Sequence, residues 1–396
     1  MTVSMDNLLK HKNILLLQGK MGTFFCRFAS FLISKNKYVH KINFNLGDAF
    51  FYCHKKHMSN YRGRVKDFDN YIQAIIHKYD IQAVVCFNDC RPYHEIAKTI
   101  CQKLNIAFFV FEEGYLRPDY ITLEQNGING YSQLDAKYIH TLNKSIEKPK
   151  YTANRFFLLC LSALIYYILV FFGQWLYPHY QHYRGLTIFR EFWAWLVALV
   201  RKVVRLLPDK RLEEKLIQQK NFYLVSLQVH NDSQITHHSH YKNVEAFIEE
   251  VLISFAHFAP KNTTIVFKHH PLDRGHRDYT YFITKLANKL DVSQRVFYGC
   301  DMHLPSLIRA SLGMITINST TGLQSVYHKK PTKTMGKALY DIKGITDQKP
   351  LDEFWQNPTP PDYEFYLQFR EYLIQQTQLN GSFYGHSPWI ADYLKE

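Results

Sequence analysis

Two adjacent carboxylates and a glycine follow an apolar run in the first third of the chain. The run is Ile106–Phe111, and Glu112, Glu113 and Gly114 come directly after it. Side chains alternate along a strand, so the two carboxylates should point to opposite sides and one can face a ligand. That carboxylate could act as a general base or as a nucleophile, and glycine would let a ligand approach closely. An acid pair on a solvated loop explains the same residues equally well.

A basic motif ends a predicted strand in the second half of the chain. Lys268, His269, His270 and Pro271 follow the apolar segment 263–267. Proline ends the strand, while Lys268 and His270 supply positive charge and hydrogen-bond donors that suit a phosphate leaving group. The alternative is a capped strand end with an incidental imidazole.

A third motif consists of small polar residues, Asn318–Gly322, between a predicted strand at 313–317 and the next helix. The N–H groups at a helix start are unpaired and lie at the positive end of the helix dipole, so Ser319, Thr320 and Thr321 could bind phosphate there. Plain N-capping is the alternative. The three motifs together are harder to attribute to chance than any one of them.

Weaker motifs follow three other predicted strands and add candidate ligand-binding residues. These residues are Gln18, Lys20, Gly22, Arg91, Gln228, Asp232 and Ser233. Gly19 and Gly22 do not have the spacing of a dinucleotide fingerprint. Asp67 and Asp69 precede a predicted helix and are better explained by capping than by metal binding, so we predict no metal site.

Strands and helices alternate through both halves of the chain. The first half has predicted strands at 13–18, 38–45, 81–87 and 106–111, and helices at 23–35, 68–79 and 93–104. The second half has strands at 221–227, 263–267, 295–298 and 313–317, and helices at 243–258, 277–290, 304–311 and 320–328. This rhythm predicts an α/β protein with two Rossmann-like lobes and a site in the cleft between them. The predicted lobes are 1–150 and 221–345, and helices in 346–396 are expected to pack back on the first lobe.

An apolar segment separates the two lobes and defines a predicted insert at 151–220. Phe156–Phe172 carries no charge, and as a helix it would extend about 26 Å, short of the roughly 30 Å of a bilayer core. A second apolar stretch, Phe192–Val200, precedes a basic tract: Arg201, Lys202, Arg205, Lys210, Arg211 and Lys215. We expect a helical hairpin that enters one leaflet, with its basic end at anionic head groups. The alternative is a buried hairpin between the lobes.

Composition restricts the class of protein and of partner. The chain has 396 residues, of which 46% are hydrophobic and 21% charged, which excludes a disordered chain. The net charge of +14 favours an anionic partner, but no nucleic-acid-binding module is recognisable, so nucleic acid is disfavoured. The seven cysteines are scattered and predict free thiols in a reducing compartment. The N-terminus has no signal-peptide pattern, which predicts a cytoplasmic protein.

Longer strings around these motifs resemble capsule polysaccharide proteins of the KpsS/LipB type. The strings are Glu112–Glu124, Leu227–Gln234, Lys268–Pro271 and Asn318–Gln324. An acidic pair with glycine, a downstream His-Pro and a Ser/Thr-rich turn are also similar to bacterial transferases that use CMP-activated ulosonic acids. The resemblance covers about residues 12–345 and is weakest in the apolar segment and the last 50 residues.

The resemblance implies a GT-B-like, retaining β-Kdo transferase on the cytoplasmic face of the inner membrane. Such proteins transfer Kdo from CMP-Kdo to a phosphatidylglycerol-type lipid, which begins the poly-Kdo linker of a capsule glycolipid. It implies no cofactor and no metal, and as partners a KpsC-like transferase and the capsule export complex. In related retaining transferases the acid before the glycine is an Asp that is proposed to form a covalent Kdo adduct. Here that position is Glu113, with Glu112 as the fallback.

The resemblance also implies roles for the other candidate residues. His270 stabilises the departing phosphate, and Arg117 or Arg91 holds the Kdo carboxylate. The residues implied to bind CMP and its phosphate are Lys268, Pro271, Ser319, Thr320, Thr321, Gln228, Asp232 and Ser233. Gln18, Lys20 and Gly22 are assigned to the Kdo or acceptor side.

Three other functions fit parts of the pattern. A CDP-glycerol-type glycerophosphotransferase also has a Lys-x-His-Pro turn, although the Glu-Glu-Gly element argues against it. A sialyltransferase shares the acidic pair and the His-Pro. A non-catalytic, membrane-docked subunit of the capsule assembly complex would not need the full motif set.

Overall fold

A computed structural model of the chain describes residues 1–141, 148–153, 156–182 and 188–391. The described residues form two compact units. The first lies within residues 1–188 and 370–396, and the second is 189–369. Each unit is built on its own β-sheet, and each is described by itself below.

Within the described ranges the chain has twelve strands. They are β1 (Asn13–Leu16), β2 (Tyr38–Asn43), β3 (Met58–Asn60), β4 (Ala83–Phe87), β5 (Ala107–Glu113), β6 (Tyr120–Gln125), β7 (Phe222–Ser226), β8 (Thr264–Lys268), β9 (Val296–Gly299), β10 (Gly313–Thr316), β11 (Thr332–Thr334) and β12 (Gln378–Asn380).

The same ranges contain fifteen α-helices. They are α1 (Val3–Leu8), α2 (Phe24–Ser34), α3 (Leu46–Phe50), α4 (Phe68–Lys78), α5 (Pro92–Lys103), α6 (Phe156–Phe172), α7 (Ile188–Gln219), α8 (Ser233–His238), α9 (Val244–Phe258), α10 (Thr280–Lys289), α11 (Leu304–Ala310), α12 (Thr321–Tyr327), α13 (Leu351–Phe354), α14 (Tyr363–Gln376) and α15 (Pro388–Ala391).

The sheet of the first unit has the order β12-β6-β5-β4-β1-β2-β3 in the described residues. Strands β1 to β5 are parallel, and β6 runs antiparallel to both β5 and β12. The chain leaves β1 toward β2 and β3 and then returns to the other side of β1 at β4. Ligands of open α/β sheets bind beside the carboxyl ends of strands at such a reversal, which here lies between β1 and β4.

The sheet of the second unit has the order β11-β10-β7-β8-β9 in the described residues and is parallel throughout. The reversal lies between β7 and β10, because β8 and β9 are added on one side of β7 and β10 and β11 on the other. Helices cover both faces, so the central strands are buried on both sides. This burial explains why β7, like β4 in the first unit, reads as an apolar run rather than an alternating one.

Aromatic side chains build much of the first core. Phe24 and Phe28 of α2 pack edge-on against Phe111 of β5, with ring centroids 5.3 and 5.0 Å apart. All three side chains are buried in one cluster beneath the sheet. Edge-to-face contacts of this kind add about 0.5–1.5 kcal/mol per pair beyond burial. The strand that ends in Glu112 and Glu113 is therefore held rigidly by its apolar residues.

The predicted α/β class is confirmed, and each of the two units has its own sheet with a parallel centre. Each of the strands and helices predicted above occurs within a few residues of its expected position. Strand β6 is the main addition, and it makes the edge of the first sheet antiparallel. It reads as an alternating run, Tyr120–Gln125, but nothing local indicates that it folds back on β5 rather than crossing over.

The apolar segment forms two helices that belong to different units. Helix α6 lies in the first unit, and α7 begins the second, so the structure does not set 151–220 apart as a separate insert. Among the helices of the described residues, none has both the length and the apolar character needed to cross a bilayer. Both helices carry many exposed apolar side chains, including Phe157 and Phe172 on α6 and Val203 and Leu207 on α7.

The cysteines differ from the prediction at one pair. Cys26 on α2 and Cys53 after α3 form a disulfide, with Cα atoms 5.5 Å apart. The prediction that all seven thiols are free is therefore wrong for these two. The loop after α3 brings together residues that are 27 positions apart, and no sequence spacing indicates this contact. The other five cysteines, Cys86, Cys90, Cys101, Cys160 and Cys300, are not in a disulfide, and Cys160 is exposed.

Glu124 on β6 is a buried carboxyl group whose ionisation should change the stability of the first unit. Its side chain is buried and accepts hydrogen bonds from Tyr115 Oη at 2.6 Å and Ser132 Oγ at 2.5 Å. Burial raises its pKa from 4.5 to about 7. The folded state therefore binds this proton more tightly than the unfolded chain, and its contribution to the free energy of unfolding is largest below pH 4.5 and falls as the pH rises toward 7.

The unsubstituted protein should lose roughly 3 kcal/mol of unfolding free energy through this group as the pH rises. Glu124→Gln should remove that pH-dependent decrease. The measurement is urea unfolding between pH 4.5 and 7.5, with Glu95→Gln, an exposed glutamate on α5, as the matched control. A pH dependence in Glu124→Gln equal to that of the unsubstituted protein would contradict the assignment.

Candidate functional site

The carboxyl ends of β1, β4 and β5 gather the acidic pair and its partners in the first unit. Lys20, which follows β1, forms an ion pair with Glu113 at the end of β5. Asn88, which follows β4, donates from Nδ2 to Glu112 Oε2 at 3.2 Å. The two carboxylates thus contact different neighbouring loops, as alternation along a strand requires.

Glu113 is the more available of the two carboxylates. About 36% of its side chain is exposed, against 18% for Lys20. Burial by itself would raise the pKa of Glu113, but the charges of Lys20 and Arg117 outweigh it and hold the pKa below its ordinary value. Glu113 is therefore an anion at neutral pH, the form that a nucleophile or a general base requires.

Glu112 is held in place by the backbone beside it. Its Oε1 accepts a hydrogen bond from the Glu113 backbone N at 2.9 Å, in addition to the bond from Asn88. These contacts shape the turn that follows β5. Through them, the Glu112 side chain helps to fix the backbone of Glu113.

Gly114 is required by the protein backbone. A Cβ atom at this position would lie 2.0 Å from the carbonyl oxygen of Tyr120, where β6 begins. Any side chain would force the start of β6 away from the end of β5. This contact gives Gly114 a role in the backbone, and the prediction that it also lets a ligand approach stays a prediction.

The two candidate arginines differ in their surroundings. Arg91 is buried, and its Nη1 donates to Gln18 Oε1 at 2.9 Å and to the Gly19 carbonyl at 3.2 Å. Arg117 is exposed, and its Nε donates to the Gly114 carbonyl at 3.3 Å. Arg117 is therefore the arginine that can reach an anionic ligand beside Glu113, whereas Arg91 stabilises the loop after β1.

Gln18 connects that loop to the apolar helix α6. Its Nε2 lies 3.0 Å from Asp48 Oδ2 and 3.0 Å from Tyr166 Oη. Tyr166 Oη also donates to Asp48 Oδ1 at 3.2 Å and accepts from Asn45 Nδ2 at 2.7 Å. The one deeply buried tyrosine of α6 thus hydrogen-bonds to residues that follow β1 and β2.

Gly22 lies at the same contact and has a φ of +117°, which favours glycine. A Cβ atom there would come within 3.3 Å of Ser162 Oγ on α6. The structure thus places Gly22 against α6, whereas the resemblance assigns it to the Kdo or acceptor side. Neither Asp48 nor Tyr166 is indicated by any local motif in the sequence.

The loop after β7 occupies the strand reversal of the second unit. Gln228 Nε2 donates to Asn318 Oδ1 at 3.0 Å and to Asp232 Oδ2 at 3.3 Å. Asp232 caps α8 through a bond from the Gln234 backbone N at 2.9 Å. These bonds bring Gln228 and Asp232 next to the motif that begins at Asn318.

The hydroxyl residues after β10 are partly engaged with each other. Thr321 Oγ1 lies 3.0 Å from Ser319 Oγ and 3.3 Å from Ser226 Oγ at the end of β7. Thr320 precedes α12 and makes no side-chain cap hydrogen bond. Ser233 begins α8, but its side chain lies outside the described residues.

In the Lys-His-His-Pro motif, Lys268 and His270 bond to backbone groups of the second unit. Lys268 is buried, and its Nζ donates to the Cys300 carbonyl at 3.0 Å. Burial lowers the pKa of this amine below its ordinary value. His270 Nδ1 accepts from the Leu272 backbone N at 3.2 Å and caps the short turn Pro271–Asp273. Lys268 therefore has one of its donors bound to a backbone carbonyl, and its role as a phosphate ligand stays a prediction.

The second unit contains an Asp–His pair that the sequence motifs do not predict, although His230 lies within Leu227–Gln234. His230 Nδ1 lies 2.5 Å from Asp273 Oδ1, and the His230 backbone N donates to Asp273 Oδ2 at 3.1 Å. Asp273 has no exposed surface. The two residues are 43 positions apart, so no local spacing predicts the pair, although each one follows a predicted strand. Within the part of the chain that the structure describes, no group of three His, Cys, Asp or Glu residues could hold a metal ion.

Comparison with known proteins gives consistent matches. The family described as capsule polysaccharide biosynthesis protein matches residues 82–384. The chain is 41% identical over 394 residues to the capsule polysaccharide modification protein LipB of Neisseria meningitidis serogroup B, covering 96% of this chain and 94% of LipB. It is 38% identical over 385 residues to the capsule polysaccharide export protein KpsS of Escherichia coli, covering 95% and 98%. Among solved structures, it is similar to the Thermosulfurimonas dismutans KpsC beta Kdo 2,7 transferase, with a TM-score of 0.42, 16% identity and 89% of each chain covered.

The charge balance at Glu113 can be tested directly. Lys20→Met removes the cation in contact with Glu113, so burial should then raise the Glu113 pKa above its ordinary value. Arg117→Gln should raise it less, because Lys20 contributes the larger of the two charge effects. Carboxyl-carbon NMR titration measures this pKa, and Glu113→Gln identifies the signal.

The exposed Lys12→Met serves as the matched control and should leave the Glu113 titration unchanged. A Glu113 pKa in Lys20→Met that stays below the ordinary value would show that Lys20 does not hold the carboxylate ionised.

Proposed function

The chain belongs to the family of capsule polysaccharide biosynthesis proteins, and from this we propose that it is a retaining β-Kdo glycosyltransferase of the GT-B type. The resemblance to KpsS/LipB-type proteins is confirmed by the full-length relatives. In this proposal the donor is CMP-Kdo and the acceptor a phosphatidylglycerol-type lipid. The product begins the poly-Kdo linker of a capsule glycolipid.

The ionised, partly exposed Glu113 is the observation that carries the proposal. A retaining transfer needs a carboxylate that can attack the anomeric carbon, and Glu113 is ionised at neutral pH. In the first step Glu113 forms a bond to Kdo C2 while the bond from C2 to the phosphate oxygen breaks. In the second step the lipid hydroxyl oxygen bonds to C2, the bond from C2 to Glu113 breaks, and the hydroxyl proton passes to water. The exposed Arg117 is the proposed partner of the Kdo carboxylate.

The second unit is proposed to bind the CMP part of the donor. Gln228 and Asn318 form the hydrogen-bonded pair at the strand reversal, and the hydroxyls of Ser319 and Thr321 lie beside them. Neutral donors of this kind can bind a phosphate without a metal ion, so the proposal includes no metal and no cofactor. His270 remains a proposed phosphate ligand, since its ring lies at the end of β8.

A membrane-surface location is proposed from the two helices of the apolar segment. Helix α7 exposes Trp193, Val203 and Leu207, and its cations Lys202 and Lys210 are exposed as well. Exposed apolar side chains next to cations suit an anionic lipid surface. We therefore propose peripheral binding to the cytoplasmic face of the inner membrane, close to a KpsC-like transferase and the capsule export complex.

Glu113→Gln tests the chemistry. The purified protein should transfer one Kdo from CMP-Kdo to a fluorescent phosphatidylglycerol-type lipid in the presence of EDTA, as measured by mass spectrometry. Glu113→Gln should lose at least 10³-fold in rate, because an amide cannot act as the nucleophile. Its affinity for CMP should stay within about threefold, and the exposed Glu249→Gln serves as the matched control.

Retention of more than a few per cent of the activity in Glu113→Gln would contradict the nucleophile role. Absence of any product with the unsubstituted protein, with CMP-Kdo left intact, would contradict the transferase itself and favour the non-catalytic subunit. A screen with CMP-sialic acid and CDP-glycerol would then separate the other transferases.

Vesicle binding tests the membrane proposal. Replacing Val203 and Leu207 together by Gln removes two apolar side chains from one face of α7. Each should contribute about 1.5 kcal/mol or more when buried in lipid, so binding to vesicles of phosphatidylglycerol and phosphatidylcholine should weaken at least tenfold in co-sedimentation.

The matched control is Tyr281→Gln, which changes an exposed aromatic residue on α10 of the same unit. Equal loss in the control, or no loss in the double variant, would show that the exposed face of α7 does not contact the bilayer.

A further inference from the structure

We infer that His230, oriented by Asp273, is the general acid that protonates the leaving phosphate of the nucleotide donor. The inference rests on the proposed function and deepens it by assigning the proton donor for donor cleavage. Asp273 acts as a positioning residue, since it would act on the donor only through His230.

The geometry of the pair fixes the orientation of the imidazole ring. Asp273 Oδ1 is 2.5 Å from Nδ1 of His230, and Oδ2 accepts from the His230 backbone N at 3.1 Å. The carboxylate is fully buried, whereas 19% of the His230 side chain is exposed. A carboxylate acceptor keeps the proton on Nδ1 and leaves Nε2 as the nitrogen that can meet a ligand. Within the described residues, no hydrogen bond to Nε2 is found.

Asp273 itself is held by the backbone around it. Its N donates to the His270 carbonyl at 2.9 Å, and its own carbonyl accepts from His276 N at 2.9 Å and Arg277 N at 3.0 Å. The turn Pro271–Asp273 is therefore rigid at the position where the carboxylate leaves the chain. A buried carboxylate held on a rigid turn is suited to orienting an imidazole.

The pair lies at the carboxyl edge of the second sheet, where a ligand is expected. His230 is two residues after Gln228, which bonds to Asn318 on the β10 side of the reversal. Asp273 follows β8, on the other side of β7. The loop that carries His230 is thus tied to both neighbours of the central strand, beside the proposed phosphate residues.

The other basic groups of this edge are less suited to proton donation. Lys268 is buried against the Cys300 carbonyl, and His270 Nδ1 accepts from the Leu272 backbone. His269 is buried, with Nδ1 2.8 Å from Tyr298 Oη. His230 is the imidazole at this edge whose Nδ1 contacts a fully buried carboxylate while its side chain is partly exposed.

The titratable groups around the pair in the described residues include His269 and Tyr279, and the charge of Asp273 acts on both of them. The His276 ring lies 5.5 Å from the His230 ring, and its Nε2 is 3.9 Å from Glu191 Oε2 on α7. Arg274, next to Asp273 in sequence, is paired with Asp301. Asp273 is therefore the only carboxylate in direct contact with His230 among these groups.

In the proposed step His230 starts as the imidazolium, with a proton on each ring nitrogen. The bond between Kdo C2 and the phosphate oxygen breaks, and its electron pair stays on that oxygen. The proton on Nε2 moves to the same oxygen, which leaves CMP and a neutral imidazole whose Nδ1–H remains on Asp273. The proton released by the acceptor hydroxyl, passed through water, restores the imidazolium.

Steady-state kinetics of His230→Gln and Asp273→Asn over pH 5 to 9 test this assignment. His230→Gln should lower kcat about 10²–10³-fold and abolish the alkaline limb of the pH profile, because that limb reports loss of the proton from the general acid. Affinity for CMP should change less than threefold. Asp273→Asn should lower kcat less than His230→Gln does, because the imidazole remains but loses the carboxylate that orients it.

The exposed His257→Gln on α9 is the matched control, and thermal unfolding of each variant reports whether it is folded. A folded His230→Gln with kcat within threefold of the unsubstituted protein, or with an unchanged alkaline limb, would overturn the inference. If Asp273→Asn does not fold, His230→Gln decides alone. An unsubstituted protein that leaves CMP-Kdo intact refutes the proposed function and, with it, this role, whereas an active one confines any failure to His230.

Discussion

The balance between burial and charge at Glu113 is the constraint on which the first unit depends. Burying a carboxylate disfavours its anion, and here contact with Lys20 and the nearby charge of Arg117 reverse that effect. Lys20 reaches Glu113 because β1 and β5 are parallel and end at the same edge of the sheet. The aromatic packing of Phe24 and Phe28 on Phe111 holds the end of β5 in register with the loop after β1. The ion pair between Lys20 and Glu113 therefore depends on the aromatic core that positions β5.

In the second unit a buried carboxylate is paired with a histidine. Asp273 is fully buried and makes its side-chain contacts with the ring and backbone of His230. Burial of an unpaired carboxylate would be costly, so the pairing stabilises the turn and orients the ring at once. Lys268 differs from this pair, because its amine is buried and donates to the Cys300 carbonyl, and burial lowers the pKa of that amine.

Helix α6 joins the apolar segment to the polar edge of the first unit through Tyr166. Its hydroxyl lies within hydrogen-bond distance of Gln18, Asn45 and Asp48, while Phe157 and Phe172 on the same helix are exposed. Gly22 permits the close approach of this helix, since a side chain there would meet Ser162. An apolar helix with exposed aromatic side chains is thus joined by one buried hydroxyl to the loops that follow β1 and β2.

The sequence by itself determined the α/β class, the order of most strands and helices, and the loops that carry the candidate residues. Hydrophobic runs and turn residues act locally, so Ile106–Phe111 predicts a buried strand with Glu112 and Glu113 at its end. Only the tertiary structure decided which side chains meet: Lys20 with Glu113, His230 with Asp273, Gln18 with Tyr166, and Cys26 with Cys53. It also decided that Lys268 is bound by a backbone carbonyl and that β6 runs antiparallel. These contacts join residues far apart in the chain, and their partners depend on how strands are ordered in a sheet, which no local pattern records.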